Sequence, residues 1–307
     1  MIPLVAVTGF LGSGKTTFLQ RVIEANPARK LAFLVNDFGA ADVDGRLLSD
    51  VSDRVVALPG GSIFCRCLAT SFIGAMRALA DRWHTADSPL TGALVEASGI
   101  SDPRVLPQML AETGLDKTYR LVRLITLIDP GTFGPLLHTL PNITAQVEAA
   151  SVAIVNKVDL FEEDALGQTE RAVREINPSI EILRAQRTDC RLVDCEALFG
   201  AGPTPDAHGT YAPCRDPHYA RAHWKSGHPI ERERLRAGLV ALGDGLYRAK
   251  GLARTDRGCV GLDMTAGQVA MNEAADRGQP TELVLIFDPR LERQVNDLAA
   301  ALGVAPN

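Results

Sequence analysis

The chain has 307 residues, enough for one large α/β domain or for a domain of about 200 residues followed by a smaller one. Hydrophobic residues make up 46% and charged residues 22%, a composition that excludes wholesale disorder, a collagen-like chain and a coiled coil. The net charge of −5 gives no basic field of the kind that binds nucleic acid or an anionic membrane surface.

No uncharged apolar run approaches the roughly 18 residues that a transmembrane helix needs, so we expect no membrane-spanning segment. The apolar residues 1–7 lead into a glycine-rich loop without a basic leader, and we interpret them as a first strand. Six cysteines are scattered between Cys65 and Cys259, and we expect reduced thiols and not a disulfide framework. The expected compartment is the cytoplasm.

Residues 1–200 alternate short apolar runs with longer amphipathic stretches. The apolar runs predict strands, namely Leu4–Thr8, Leu31–Val35, Val55–Leu58, Ala93–Glu96, Leu121–Ile128 and Val152–Val155. The stretches between them predict helices, among them Thr16–Glu24, Ser71–Trp83 and Glu163–Ile176. This alternation predicts an α/β fold with a doubly wound, mostly parallel sheet.

The character of the chain changes near Gly200. Residues 201–217 are rich in proline and glycine and predict a linker between a domain at 1–200 and a second domain at 218–307. The second domain mixes predicted strands and helices, namely Tyr219–Trp224, Ile230–Leu242, Leu246–Ala253, Cys259–Leu262, Leu283–Phe287 and Leu291–Leu302. We therefore expect a smaller C-terminal α+β domain.

A phosphate loop follows the first predicted strand. It reads Gly9-Phe10-Leu11-Gly12-Ser13-Gly14-Lys15-Thr16 and fits G-x-x-x-x-G-K-[ST] between a strand and a helix. Glycines let backbone N–H groups converge on phosphate oxygens, and the helix N-terminus adds a favourable field. We expect Lys15 to reach the β- and γ-phosphates and the Thr16 hydroxyl to bind Mg²⁺.

A base-reading loop is predicted at Asn156-Lys157-Val158-Asp159, directly after the run Val152–Val155. The Asp159 carboxylate would accept from guanine N1–H and the 2-amino group, whereas adenine has an acceptor at N1. Asn156 would contact the N7 side of the base and brace the loop, and the Lys157 stem would lie over the ring. A plain surface loop is the alternative.

Two further loops are expected to sense the γ-phosphate. The first leaves the second strand and carries Asp37, Asp42 and Asp44, as Mg²⁺ ligands or as an acidic surface turn. The second brings Glu96 to a strand end, where it would hold Mg²⁺ through water, and contains Gly99, whose N–H is free to turn toward a γ-phosphate.

A cysteine pair, Cys65 and Cys67, lies between these two loops. If the segment is extended, both thiols point to one side and suit Zn²⁺, Cu⁺ or Co²⁺, with Arg66 lowering their pKa values. Buried packing thiols are the alternative. A second cluster of soft ligands is equally well read as a solvated stretch; it comprises His208, Cys214, His218, His223 and His228.

Several segments together resemble the CobW/HypB/UreG family of P-loop GTPases, most closely its CobW-like branch. They are Gly9–Thr17, Val35–Gly39 with Asp44, Gly61–Cys67, Glu96–Gly99 with Asp102 and Pro103, Asn156–Asp159, Ile176–Pro178 and Arg248–Gly251. The branch usually has glutamate where this chain has Asp37, and Cys-x-Cys-Cys where alignment on Gly61 gives Ser62, Phe64 and Cys65, with Cys67 two positions on.

The resemblance implies GTP hydrolysis coupled to delivery of a metal ion or cofactor into a client metalloenzyme. Its implied cofactors are GTP/GDP and Mg²⁺, with Zn²⁺ or Co²⁺ at the cysteine segment. Lys15, Thr16, Asp37 and Glu96 are the candidate catalytic residues, the last two as water-positioning groups. We expect slow intrinsic turnover that a client or a nucleotide-dependent homodimer accelerates. Alternatives are a GTPase serving a corrinoid enzyme, a P-loop small-molecule kinase and a metal store or sensor that does not hydrolyse GTP.

Overall fold

The computed structural model describes residues 1–37, 52–59, 66–137, 140–200, 220–265, 267–274, 276 and 278–306, without the side chains of 37, 59, 66–69, 221, 265 and 306. The described residues up to 200 form one compact unit and those from 220 onward form another. The predicted linker 201–217 lies outside the described residues.

A parallel sheet forms the centre of the first unit. Within its described residues, seven strands pair in the order β3-β2-β4-β1-β5-β6-β7, every pair parallel. They are β1 Ile2–Gly9, β2 Leu31–Asp37, β3 Val55–Pro59, β4 Gly92–Glu96, β5 Tyr119–Ile128, β6 Val152–Val155 and β7 Glu181–Arg184. The helices are α1 Lys15–Ala25, α2 Arg66–Trp83, α3 Leu106–Glu112, α4 Pro130–Leu137, α5 Pro141–Ala149, α6 Glu163–Ile176 and α7 Cys195–Phe199.

The strands are apolar on both faces because helices cover both sides of the sheet. Along β1, Val5 and Val7 lie in one apolar cluster with residues of α1 and α7. Leu4 and Ala6 alternate with them and are also fully buried, so they fill the opposite face. The expected α/β class with a parallel sheet is confirmed.

The structure adds several elements that the sequence analysis did not predict in this unit. These are β7, α3, α4, α5 and α7, all short or lacking strong periodicity. An extended backbone through Cys67, on which the shared direction of the two thiols depends, is not found at residues 66 and 67. Arg66 and Cys67 are the first two residues of helix α2.

The second unit is an antiparallel sheet with two helices. Among the described residues its strand order is β11-β10-β9-β12-β8-β13, every pair antiparallel. The elements are β8 Ala220–Ser226, α8 Arg232–Ala241, β9 Leu246–Thr255, β10 Gly258–Thr265, β11 Gln268–Glu273, β12 Thr281–Phe287, α9 Glu292–Leu302 and β13 Ala305–Pro306. The expected smaller α+β domain is confirmed, with β11 and β13 added.

One apolar face of this sheet packs against both helices. Leu235 and Leu239 of α8 and Val295 of α9 share a buried cluster with Trp224 of β8. None of the helices in the described part of either unit has the length and apolar character to cross a membrane.

Candidate nucleotide-binding site

The phosphate loop joins β1 to α1 at the carboxyl edge of the parallel sheet, where ligands bind in open α/β folds. Gly14 adopts φ +108°, and a Cβ there would lie 2.5 Å from the side-chain nitrogen of Asn156. Only glycine therefore fits this position without displacing Asn156. The Lys15 ammonium donates to the carbonyls of Gly9 and Phe10 at 3.0 and 3.2 Å, so it lies inside the curve of the loop.

Two oxygen-bearing side chains, one from a helix and one from a strand, meet at the start of α1. The Thr16 hydroxyl donates to the Glu96 carboxylate, with oxygen–oxygen distances of 3.1 and 3.4 Å. Glu96 is the last residue of β4 and is 3% exposed. Hydroxyl and carboxylate oxygens are the hard ligands that Mg²⁺ prefers, so this donor set fits that ion. In the phosphate loop itself, the Ser13 hydroxyl is buried without a hydrogen-bond partner among the described residues.

Asn156 connects three loops. Its side-chain nitrogen donates to the Ser13 carbonyl at 2.9 Å, and its side-chain oxygen accepts from the Thr188 N–H at 2.8 Å. The side chain therefore braces the phosphate loop against the loop that follows β7. A contact to the base would use the second N–H of the same amide.

Lys157 and Asp159 follow in the same loop. The Lys157 ammonium lies 2.6 Å from an Asp129 carboxylate oxygen, and the backbone of Lys157 is left-handed with φ 60°. Asp129 directly follows β5 and is mostly buried. Asp159 sits exposed in a short turn at Val158–Leu160, so its carboxylate is accessible to a ligand.

The loop after β4 packs against the phosphate loop. A Cβ on Gly99 would lie 2.7 Å from the backbone nitrogen of Leu11, so the two backbones approach closely. From α5, Gln146 donates to the carbonyls of Gly99 and Ser101 at 3.0 and 3.2 Å, and Asn142 donates to the carbonyl of Ile100.

Charge at the end of this loop is paired. Asp102 accepts from the guanidinium of Arg104, and this hydrogen bond raises the pKa of Arg104 above its usual value. Arg104 also reaches Glu148 of α5 at 2.7 Å. The loop after β4 is thus tied to α5 by an ion pair as well as by amide hydrogen bonds.

The remaining phosphate-loop candidates occupy the expected turn. Gly12 has φ +76°, Ser13 is buried and Thr17 is exposed in the first turn of α1. The structure thus places the candidates from 9 to 17 and from 156 to 159, with Glu96 and Gly99, along one edge of the sheet.

The metal-ligand candidates are mostly outside the described part of the chain. This applies to Asp44 and Cys65 and to the side chains of Asp37 and Cys67. Among the described residues, no three His, Cys, Asp or Glu side chains group closely enough to hold a metal ion.

In the histidine cluster, His223 pairs with Glu282 at 2.9 Å, whereas His208, Cys214 and His218 are not described.

Three residues that contact the site were missed by the sequence analysis or given no role there. Asp129 follows a predicted strand, so its strand-end position was a usable signal. Asn36 lies within the segment Val35–Gly39, but nothing in that pattern indicates a role for its side chain. Thr188 follows β7, which was not predicted, so no pattern pointed to it.

A strand, a glycine loop and a helix that present a lysine and a hydroxyl beside a strand-end carboxylate define a P-loop nucleotide-binding domain. The chain belongs to the CobW/HypB/UreG family, whose nucleotide-binding domain matches residues 3–184. The cobalamin synthesis protein cobW C-terminal domain matches residues 220–302.

Named relatives have similar sequences. The zinc chaperone CobW of Pseudomonas aeruginosa is 27% identical over 239 residues, which cover 67% of this chain and 62% of that protein. The zinc-regulated GTPase metalloprotein activator 1 of Schizosaccharomyces pombe is 28% identical over 216 residues, covering 68% and 50%. The chain spans 50–62% of the length of such curated relatives. The crystal structure of the Zn(II)-bound YjiA GTPase from E. coli is 17% identical, with 98% of each chain covered and a TM-score of 0.47.

Proposed function

We propose that this protein is a GTPase that couples GTP binding and hydrolysis to the delivery of a metal ion or metal cofactor into a client enzyme. The observation that carries the proposal is the hydrogen bond from Asn156 to the Ser13 carbonyl at 2.9 Å. It joins the predicted base-reading loop to the phosphate loop, so the two face one ligand. A small-molecule kinase would need the phosphate loop but not the base-reading loop.

The proposed chemistry is transfer of the γ-phosphoryl group to water. Lys15, the phosphate-loop N–H groups and the N-terminus of α1 stabilise the charge that develops on the phosphate oxygens. Thr16 and Glu96 would hold Mg²⁺, which neutralises phosphate charge when bound. Gly99 would sense the γ-phosphate through its N–H. Asp37 and Glu96 are the proposed water-positioning groups, and we expect slow turnover without a partner.

Guanine selectivity is assigned to Asp159, because its carboxylate accepts from both N1–H and the 2-amino group. Asn156 would contact the base while bracing the loop. The Lys157 stem would cover the ring, since its ammonium is anchored on Asp129 at 2.6 Å.

The proposed cargo is Zn²⁺ or Co²⁺, held by Cys65 and Cys67 with a further ligand from Asp37, Asp42 or Asp44. Its support is the named zinc chaperones among the relatives and the thiolate preference of these ions. A client metalloenzyme and a nucleotide-dependent homodimer are the proposed partners.

The described cysteines Cys190, Cys195 and Cys259 are free thiols, which supports a cytoplasmic location. The proposed domain organisation is a GTPase domain at 1–200, a linker at 201–217 and a C-terminal domain at 218–307.

Phosphate release from GTP and ATP, with and without Mg²⁺, tests the enzymatic part. We expect GTP to be preferred and chelation of Mg²⁺ to stop turnover. Transfer of labelled phosphate to a metabolite in cell extract would instead support the kinase, and a preference for ATP would overturn the proposal.

Titration with Zn²⁺ and Co²⁺, in GDP and in a non-hydrolysable GTP analogue, tests the cargo. Cys65→Ser and Cys67→Ser are expected to weaken metal binding, and Cys259→Ser serves as the matched control. A metal affinity that differs less than about twofold between the nucleotides would exclude coupling. Metal binding that ignores nucleotide, without phosphate release, would support a store or sensor.

A further inference from the structure

The side-chain amide of Asn36 bridges three neighbouring strands at the nucleotide edge of the sheet. Asn36 is the penultimate residue of β2 and is 3% exposed. Its oxygen accepts from the Ser98 N–H, just beyond β4, at 3.2 Å. Its nitrogen donates to the Leu58 carbonyl of β3 at 3.1 Å. One buried amide therefore holds the loop after β4 and the end of β3 together.

Each partner of Asn36 belongs to a different part of the proposed machinery. Ser98 lies between Glu96, which accepts from the Thr16 hydroxyl, and Gly99, which packs on the phosphate loop. Leu58 pairs with Asn36 in the β2–β3 ladder, and the chain continues from β3 toward Cys65. The contacts thus run without a gap from the phosphate loop to the strand that precedes the cysteine segment.

The energetics favour movement of both partners together. A buried amide group that loses a hydrogen-bond partner is destabilising, because water does not replace the lost partner. If the loop after β4 shifts when a γ-phosphate binds, Asn36 either loses the Ser98 bond or follows the loop. Following the loop moves the Asn36 nitrogen relative to the Leu58 carbonyl that it donates to. Leu58 lies in β3, which pairs with a strand on one side only among the described residues.

We propose that Asn36 couples the loop after β4 to β3, so that the bound nucleotide changes the stability of β3 against local opening. This rests on the proposed GTPase site and assigns its regulation to a particular side chain. Asn36 acts through Ser98 and Leu58 and is a positioning residue. Asparagine suits the role because one short side chain supplies an acceptor and a donor.

Hydrogen exchange at the backbone amides of residues 55–58 tests the proposal. In the wild-type protein we expect exchange rates that differ at least about threefold between GDP and a non-hydrolysable GTP analogue. In Asn36→Ala the two rates should converge, while the Kd for each nucleotide stays within about threefold of wild type. If Asn36→Ala does not fold, Asn36→Asp carries the test, because it keeps the acceptor for Ser98 and loses the donor for Leu58.

Asn142→Ala is the matched control. Asn142 holds the carbonyl of Ile100 in the same loop but comes from α5, so this variant should keep the nucleotide dependence of β3. A persisting difference in the Asn36 variant, or equal loss in the control, would overturn the inference. So would wild-type protein that binds and hydrolyses GTP with unchanged exchange at β3. Failure of GTP binding itself would instead refute the proposed function and, with it, the inference.

Discussion

The ammonium group of Lys157 lies 2.6 Å from a carboxylate oxygen of Asp129, across the carboxyl ends of the adjacent strands β5 and β6. The other Asp129 oxygen accepts from the Gly131 N–H at 2.9 Å, which fixes the carboxylate at the start of α4. The Lys157 side chain is thereby held in one direction by a charge-assisted bond. Asp129 thus orders the side chain that is proposed to cover the base.

Removing the Asp129 charge should weaken nucleotide binding without changing base preference. Charge-assisted hydrogen bonds contribute about 1.5–3 kcal/mol, so we expect Asp129→Asn to raise the Kd for GDP and GTP by about tenfold or more. Selectivity over ATP should persist because Asp159 is intact. Calorimetric titration with the three nucleotides measures this. Unchanged affinity would show that Lys157 needs no anchor.

Changing Asp159 should instead alter the base preference. Asp159→Asn replaces an acceptor pair by one acceptor and one donor, so discrimination of GTP from ATP should fall from at least about 100-fold to below about tenfold. Xanthosine triphosphate carries a carbonyl where guanine has its amino group, so its binding should improve in this variant. Persisting guanine preference together with no gain for xanthine would remove Asp159 from base recognition.

The phosphate loop should not tolerate a methyl group at Gly14. Gly14→Ala puts a Cβ at φ +108° and 2.5 Å from the Asn156 amide, so the bracing contact and the loop shape cannot both survive. We expect loss of detectable nucleotide binding. Gly74→Ala is the matched control, since nothing lies within 4 Å of that Cβ inside helix α2. It should stabilise the protein by about 0.5–1 kcal/mol and keep binding.

The sequence predicted the buried strands and the amphipathic helices well because their signals are local. Continuous apolar runs such as Val152–Val155 form strands that have a neighbouring strand on each side in the parallel sheet. Strand β7 is only partly buried and starts with Glu181, so its composition gave no apolar run. Helix α4 contains Pro135 and two glycines, residues that normally argue against a helix.

The phosphate loop could be located from sequence because its function needs particular residues in a fixed order. The bracing contacts around it could not. Asn36 and Ser98 are 62 positions apart, and Asn156 and Ser13 are 143 positions apart. Only the strand order brings these residues together. Amide and carboxylate side chains are common at strand ends, so their partners follow from topology and not from pattern.

Cys195 gives a pH-dependent prediction outside the nucleotide site. Its side chain is 4% exposed in the apolar cluster under α1, and its N–H donates to the Asn26 side chain at 3.0 Å. Burial raises the pKa of the Cys195 thiol to about 11. The folded state therefore holds this proton more tightly than the unfolded chain, whose cysteine pKa is about 8.5.

The sign of the effect on stability follows from that difference. The contribution is fully present below pH ~8.5 and is lost as pH rises toward 11, by about 2 kcal/mol at pH ~10.5. Urea unfolding at pH 8 and pH 10.5 should show a steeper loss for wild type than for Cys195→Ala. The alanine variant lowers stability at both pH values by a constant cavity cost of about 1 kcal/mol. Equal losses in the two proteins would mean that the thiol ionises as readily in the folded state as in the unfolded one.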